Sequence, residues 1–188
     1  MHIIDLNPGE DRAIEQTARL LLEVFQDDTP SWPDMASTRE EVRASLASDR
    51  LSRVACEDDG TVVGWISSIP SYGGRVWEIH PLAVRPDRQR QGIGRALLND
   101  LEDQVRKQGG LTLWLGTDDE NDRTSLGGID LFPDPLTHLQ RIRNLGGHPY
   151  EFYMHCGFVL AGIVPDANGF GKPDILLTKR VVAMEITR

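Results

Sequence analysis

The sequence predicts a mixed α/β domain, a central sheet flanked by helices. Three observations carry this. Short apolar runs of strand length alternate with longer stretches whose apolar residues recur at helical spacing. An Asp-Gly pair at 59–60 sits between two such runs, a hairpin signal. No repeat, low-complexity tract or linker divides the 188 residues, so one domain over 1–188 is expected, long enough to bury a core.

The elements follow in order. "MHIIDL" reads as a first strand, and residues 10–25 place Ile14, Ala18, Leu21, Leu22 and Phe25 on one helical face. "DDTPSWPD" (27–34), with two prolines, must be a loop. "STREEVRASLAS" starts a second helix, with Thr38 and Glu41 at capping-box spacing. "LSRVACEDDGTVVGWISSI" gives the hairpin strands, and "GGRVWEIHPLAV" (73–84) a further strand interrupted by Pro81. Ile93, Leu97, Leu101 and Val105 then mark a helix that ends near Gly109-Gly110, and "LTLWLGT" (111–117) is the next strand. "DDENDRTSLGGIDLFPDP" is expected to be a polar loop without a core contribution, followed by a helix through Leu139, Ile142 and Leu145. A short helix over "PYEFYMHCG" and strands at 158–164 and 175–182 close the chain, with Tyr150 and Phe152 expected in the core.

Composition narrows the function. The balance of 20 Lys+Arg against 29 Asp+Glu gives a formal charge of −9, which argues against a nucleic-acid partner and suits a cationic one. No apolar run reaches the roughly 18 residues of a membrane span, and "MHIIDLNPGE" lacks the features of a signal peptide. Two cysteines, Cys56 and Cys156, make no disulfide framework, so a cytoplasmic setting is expected. His148, His155 and Cys156 match no standard zinc spacing, and no metal is expected.

The stretch "RQRQGIG" (88–94) brings backbone amides and two glycines to a helix start, where unpaired N–H groups and the macrodipole favour an anion. Arg88, Arg90 and Arg95 add charge at the rim. It is neither the nucleotide-triphosphate loop, since GxxxxGK[ST] is absent, nor the dinucleotide fingerprint, since Leu97 stands where a small residue is needed. A solvated basic helix start is the plain alternative. Gln89-x-x-Gly92-x-Gly94, after "LAV" and before a helix, resembles the acetyl-coenzyme A loop of the GNAT N-acetyltransferases. The resemblance implies a sheet with splayed strands. It also implies that Gln89, Arg90, Gln91, Gly92, Ile93, Gly94 and Arg95 hold the pyrophosphate, while the pantetheine arm runs beside Leu82, Ala83 and Val84.

Pro81 removes a ladder donor, so a bulge or splayed edge is expected in "EIHPLAV". The resemblance makes the Leu82 N–H the donor to the acetyl carbonyl, where acyl transfer develops negative charge. Glu78 and His80 lie two apart on one face of the strand. Glu78 suits an anchor for the acceptor ammonium and a base acting through water; His80 reads equally as a base or as a structural histidine. Tyr153 matches the family position whose hydroxyl faces the coenzyme A sulfur.

Separated blocks ("HPLAV", "LWLGTDDE", "TSLGGIDLF", "IRNLGGHPYEFY", "GIVPDANGFGKPDI") are similar to the chromosomally encoded type of aminoglycoside 6'-N-acetyltransferase. That implies a polycationic acceptor met by carboxylates. Asp118, Asp119, Glu78, Glu151 and Asp166 are the acidic candidates, with Trp32 as an apolar wall, and a homodimer is implied as well. Gly127-Gly128, in a loop expected to be flexible, and Phe170 in place of a tryptophan depart from the resemblance. Another amine acceptor (a polyamine, peptide N-terminus or small metabolite) and a non-catalytic acetyl-coenzyme A module remain as alternatives.

Overall fold

The structure, a computed structural model, describes residues 1–25 and 31–183, so part of the proline loop expected at 27–34 lies outside the described residues. It comprises two units: Met1–Leu113 with the chain from Val181, and Trp114–Arg180.

In the first unit the chain forms β1 (His2–Asp5), α1 (Asp11–Phe25), α2 (Met35–Ala44), β2 (Leu51–Cys56), β3 (Val62–Ser71), β4 (Val76–Val84) and α3 (Ile93–Lys107). The four strands lie side by side in chain order, each antiparallel to the next. The β2–β3 turn closes where predicted: Glu57 N–H donates to Thr61 O at 2.9 Å, and Gly60 supplies a φ of 81°. Val54, Trp65 and Ala83 share one face of the strands and pack with Ile14, Ala18, Leu21 and Val42 from α1 and α2. The Trp65 indole N–H, fully buried there, donates to Ser52 Oγ at 3.0 Å.

Helix α3 covers the opposite face. Its buried stripe is Ile93, Leu97, Leu98, Leu101 and Val105, the predicted period extended by one neighbour. The helix approaches closely because residue 64 is glycine: a Cβ there would stand 2.9 Å from Leu97 Cδ1 and 3.0 Å from Ile93 Cγ2. Arg53 reaches out of β2 on this side, and its buried guanidinium is held by Asp100 of α3 (2.7 and 3.1 Å) and by Asp5. The second helix starts earlier than the sequence predicts. Its cap is Asp34, which accepts from the N–H groups of Ala36 and Ser37 at 2.9 Å, with the Ser37 hydroxyl closing the box. Thr38 is instead a buried residue inside α2, its hydroxyl donating to Met35 O at 3.2 Å.

Strand β5 (Thr112–Asp118) carries the chain into the second unit, where α4 (Pro135–Gln140), α5 (Tyr150–His155), β6 (Val159–Val164) and β7 (Asp174–Arg180) follow. The strand order there is β5-β7-β6, with β6 and β7 antiparallel. Several expectations fail here. The segment after β5 does contribute a core, since Leu126 and Leu131 are both buried. It is also tied down: Gly128 N–H donates to Gly171 O at 2.8 Å, and Lys172 Nζ meets Asp122 Oδ1 at 2.6 Å. The helix expected through Leu145 ends at Gln140, because residues 143–145 turn to bond with 123–125. Tyr150 is buried as expected, but Phe152 is only half-buried. Among the described residues no helix is long and apolar enough to cross a membrane.

The glycine at the β3–α3 contact gives a stability test. Gly64→Val should cost about 1–3 kcal/mol, because neither Leu97 nor Ile93 can withdraw from a filled core. The urea midpoint of the purified variant checks this, and a midpoint at the wild-type value would refute the close-approach account.

Candidate active site

Strand β4 departs from regular pairing at one point. Leu82 pairs with Ile66 and Ile79 with Ser68, so His80 and Pro81 together face the single residue Ser67. The His80–Pro81 peptide is cis, and the buried Ser67 hydroxyl donates to the His80 carbonyl. This is the bulge that Pro81 leads one to expect. The extra residue splits the strand's side chains between two faces. Leu82 and Val84 fall with Ile66 and Gly64 on the side that α3 covers. His80 falls on the α1/α2 side, with Glu78 two residues before it. There His80 Nε2 is 3.9 Å from Glu41 Oε1 of α2, and its ring centroid is 5.8 Å from that of Trp32.

Trp32 is thus only in part the open wall that was expected. It is 9% exposed and belongs to the core, stacking edge-on with Phe25 at 5.2 Å. Glu41 and Ser67 carry no signal of this role in the sequence, where the first has capping-box spacing and the second lies within a strand. The direction of the Leu82 N–H also follows from the ladder. Arg85 N–H donates to Val63 O at 3.0 Å, making 85/63 and 83/65 the bonded pairs. Leu82 and Val84 therefore turn their N–H groups away from β3.

The loop from β4 to α3 is built from its own polar groups. Arg85 binds Asp87 in a forked pair (2.6 and 3.0 Å), and Arg88 binds Glu57 at 3.0 Å and Asp87 at 3.3 Å. Arg88 is therefore neutralised rather than a free rim charge. Gln89 Nε2 donates to Val84 O at 3.1 Å, and Gln91 Nε2 to Asp87 O at 3.3 Å. Arg90 and Gly92 take positive φ (59° and 87°), which turns the chain into α3. No side chain caps this helix, and its first bond from outside is Ala96 N–H to Gly92 O at 2.9 Å. Among the described residues the N–H groups of 90–95 meet no acceptor, and the exposed Arg90 and Arg95 have no carboxylate partner. Space is open beside Gly92, where a Cβ would meet nothing within 4 Å. Orphan amides, two unpaired guanidinium groups and an open approach fit a diphosphate.

In the second unit the acidic pair after β5 divides. Asp119 is buried, and its oxygens accept from Arg123 N–H (2.6 Å), Thr124 N–H (2.9 Å) and the Thr124 hydroxyl (2.6 Å). It organises the following loop and is buried away from any acceptor, so it leaves the candidate set. Asp118 is exposed and accepts from Asn168 Nδ2 at 2.5 Å. Asp166 is partly committed as well, since its Oδ1 accepts from Gly171 N–H at 2.7 Å. Glu151 is exposed at the start of α5, with the Tyr150 hydroxyl 3.5 Å away. Tyr153 on α5 is 9% exposed and packs edge-on to Phe152 (5.1 Å) and Phe158 (5.7 Å). Burial pushes its phenol well above the ordinary value, so it keeps its proton at neutral pH.

Residues 17–125 match the acetyltransferase (GNAT) family. The chain belongs to that family, and its mixed α/β architecture is the GNAT fold, a class of enzyme whose co-substrate is acetyl-coenzyme A. Two solved structures are similar over almost the whole chain. One is an aminoglycoside 6'-N-acetyltransferase complexed with coenzyme A: 35% identity, 98% of this chain and 99% of that one, TM-score 0.90. The other is the aminoglycoside 6'-N-acetyltransferase from Enterococcus faecium: 36% identity, 98% and 99% coverage, TM-score 0.89. The N-alpha-acetyltransferase RimI of Mycobacterium tuberculosis is 36% identical over 94 residues. That match spans 49% of this chain and 56% of the relative's length.

His148, which by spacing is weighed only as a zinc ligand, is structural and sets a pH dependence. It is buried, with Nε2 3.1 Å from Asp118 O and Nδ1 accepting from Tyr150 N–H at 3.3 Å. Two such bonds select one neutral tautomer, with the proton on Nε2. Burial holds its pKa below the ordinary 6.5. The unfolded chain therefore binds this proton first, and stability falls as pH drops below 6.5 toward the folded value. His148→Gln should flatten the fall in thermal midpoint as pH drops below 6.5. A variant with the wild-type slope in that window would exclude His148 as its source.

Proposed function

We propose that this chain transfers acetyl from acetyl-coenzyme A to the 6'-amine of an aminoglycoside by direct attack, a modification that would confer antibiotic resistance. The observation that carries the acceptor assignment is the likeness, over 98% of the chain, to two aminoglycoside 6'-N-acetyltransferases. The site geometry supports the roles. The free amides of 90–95 with Arg90 and Arg95 hold the pyrophosphate beside Gln89, and Leu82, Ala83 and Val84 flank the pantetheine arm. The Leu82 N–H, turned away from β3, meets the carbonyl oxygen as it gains negative charge.

The acceptor binds as an ammonium and must lose a proton before its nitrogen attacks the thioester carbon. Glu78 anchors that ammonium and takes the proton through water; His80, braced by Trp32 and Glu41, is the second candidate. The carbon–sulfur bond then breaks, and Tyr153, which burial keeps protonated, supplies a proton to the departing thiolate. Asp118, Glu151 and the free oxygen of Asp166 remain candidates for further amines of a polycation. Nothing here requires an acetyl-enzyme.

The local match to an N-alpha-acetyltransferase favours a second reading, acetylation of a peptide N-terminus. A panel assay separates the two. Purified protein with acetyl-coenzyme A should release thiol fastest, by kcat/KM, with tobramycin or kanamycin, and slower with spermidine or a peptide that begins with alanine. A higher kcat/KM for the peptide would replace the aminoglycoside reading with the second one. Coenzyme binding without thiol release for any amine would leave a binding module. For Tyr153→Phe, turnover should drop by about a hundredfold or more, the usual range for a lost general acid, with coenzyme affinity little changed. Unchanged turnover would remove Tyr153 from the mechanism.

A further inference from the structure

Several arginines sit against carboxylates, as Arg53, Arg85 and Arg88 do. Arg141 and Arg143 do not. Both are exposed, and among the described residues neither has a carboxylate partner, although the chain carries 29 acids against 20 Lys+Arg. Instead they line a groove of about 440 Å³ in the second unit, together with Ser125, Leu126, Thr137 and His138. These residues share none with the strand and loop of 78–95.

The backbone fixes where these groups stand. Thr137 and His138 lie on α4, and Arg141 follows at i+4 and i+3, on the same side of the turn. Arg141 N–H donates to His138 O at 3.1 Å. Arg143 sits on a short two-stranded contact: Ser125 N–H donates to Arg143 O and Arg143 N–H to Ser125 Oγ, both at 3.0 Å, beside the Thr124–Asn144 bridge. Because its oxygen accepts that bond, the Ser125 hydroxyl keeps its own proton to donate.

We infer that this groove binds a small phosphorylated metabolite through its phosphate. Two guanidinium forks match phosphate oxygens in pairs, which a carboxylate or a halide would fill less completely. Ser125 and Thr137 supply further donors, and His138 a ring N–H. The volume lies in the range of small-molecule sites, about 300–1,000 Å³, and exceeds what a bare ion fills. The buried Leu126 gives the groove an apolar floor for the carbon part of the ligand. The inference is independent of the acetyl-transfer reading.

Ribose 5-phosphate is a suitable probe, followed by calorimetry and by amide signals of isotopically labelled full-length protein, with ribose and inorganic phosphate as separate arms. The expected result is saturable binding that moves signals of 125–126 and 137–143 and leaves 89–95 in place. Ribose should give no response, and inorganic phosphate a weaker one. Arg141→Gln/Arg143→Gln, two exposed positions, should keep the wild-type circular dichroism and lose at least about tenfold in affinity. Absence of saturable binding, equal binding by the double variant, or signal changes confined to 89–95 would each overturn the proposal. So would an equal response to sodium chloride at matched ionic strength.

Discussion

The bulge that sets His80 and Pro81 against Ser67 governs what β4 can present. Under strict alternation, residues 78, 80, 82 and 84 would all point to one side. With one residue added, Glu78 and His80 face α1 and α2, while Leu82 and Val84 fall on the α3 side. Proline belongs at that point because it has no N–H to lose from the ladder, and a bulge leaves one residue unpaired in any case. The buried Ser67 hydroxyl then gives the His80 carbonyl a partner. A carboxylate and an imidazole on one face, and a backbone donor two residues further on, thus come from five consecutive residues without a loop insertion.

The loop after β4 shows how an acidic chain keeps a seat for an anion. Four arginines crowd into 85–95, but Asp87 and Glu57 hold Arg85 and Arg88 as internal braces. That leaves Arg90 and Arg95 as the exposed charge, next to the amides that α3 cannot satisfy itself. The braces also hold the chain in the shape that aims those amides outward, and the positive φ at Arg90 and Gly92 completes the turn. Local pairing therefore does two tasks. It limits the field to the residues nearest the helix start, and it keeps the seat rigid before any ligand arrives.

Much of this was legible in the sequence where one local rule decides the outcome. The Asp59-Gly60 turn, the period of α3 and the break at Pro81 each rest on a single dominant preference, and each appears where expected. The rule failed where two local signals competed. Thr38 and Glu41 have capping-box spacing, but Asp34 and Ser37 do too, with Asp the stronger cap, and the earlier pair starts α2. Ile142 and Leu145 continue a helical period, yet a non-local ladder with 123–125 ends α4 at Gln140. Nor could spacing reveal Glu41 beside His80, a contact between elements separated by the hairpin. The matches to solved structures bear out the family, while the roles of individual site residues rest on the arguments from their geometry.

The acidic pair after β5 shows the same division at the scale of two residues. Read in a row, Asp118 and Asp119 look like one carboxylate cluster. Consecutive residues at a strand end point to opposite sides, so they meet different surroundings. Asp119 turns inward, and the first turn of the next loop forms around it: two backbone N–H groups and a threonine hydroxyl need an acceptor that water cannot supply. Asp118 turns outward, while its carbonyl takes the bond from buried His148. Removing the Asp119 carboxylate would leave buried donors unmatched, a stability effect, whereas Asp118 can change its charge with its backbone role intact. For a cationic ligand, only the outward residue of such a pair offers a carboxylate, and the inward one keeps its neighbour in place.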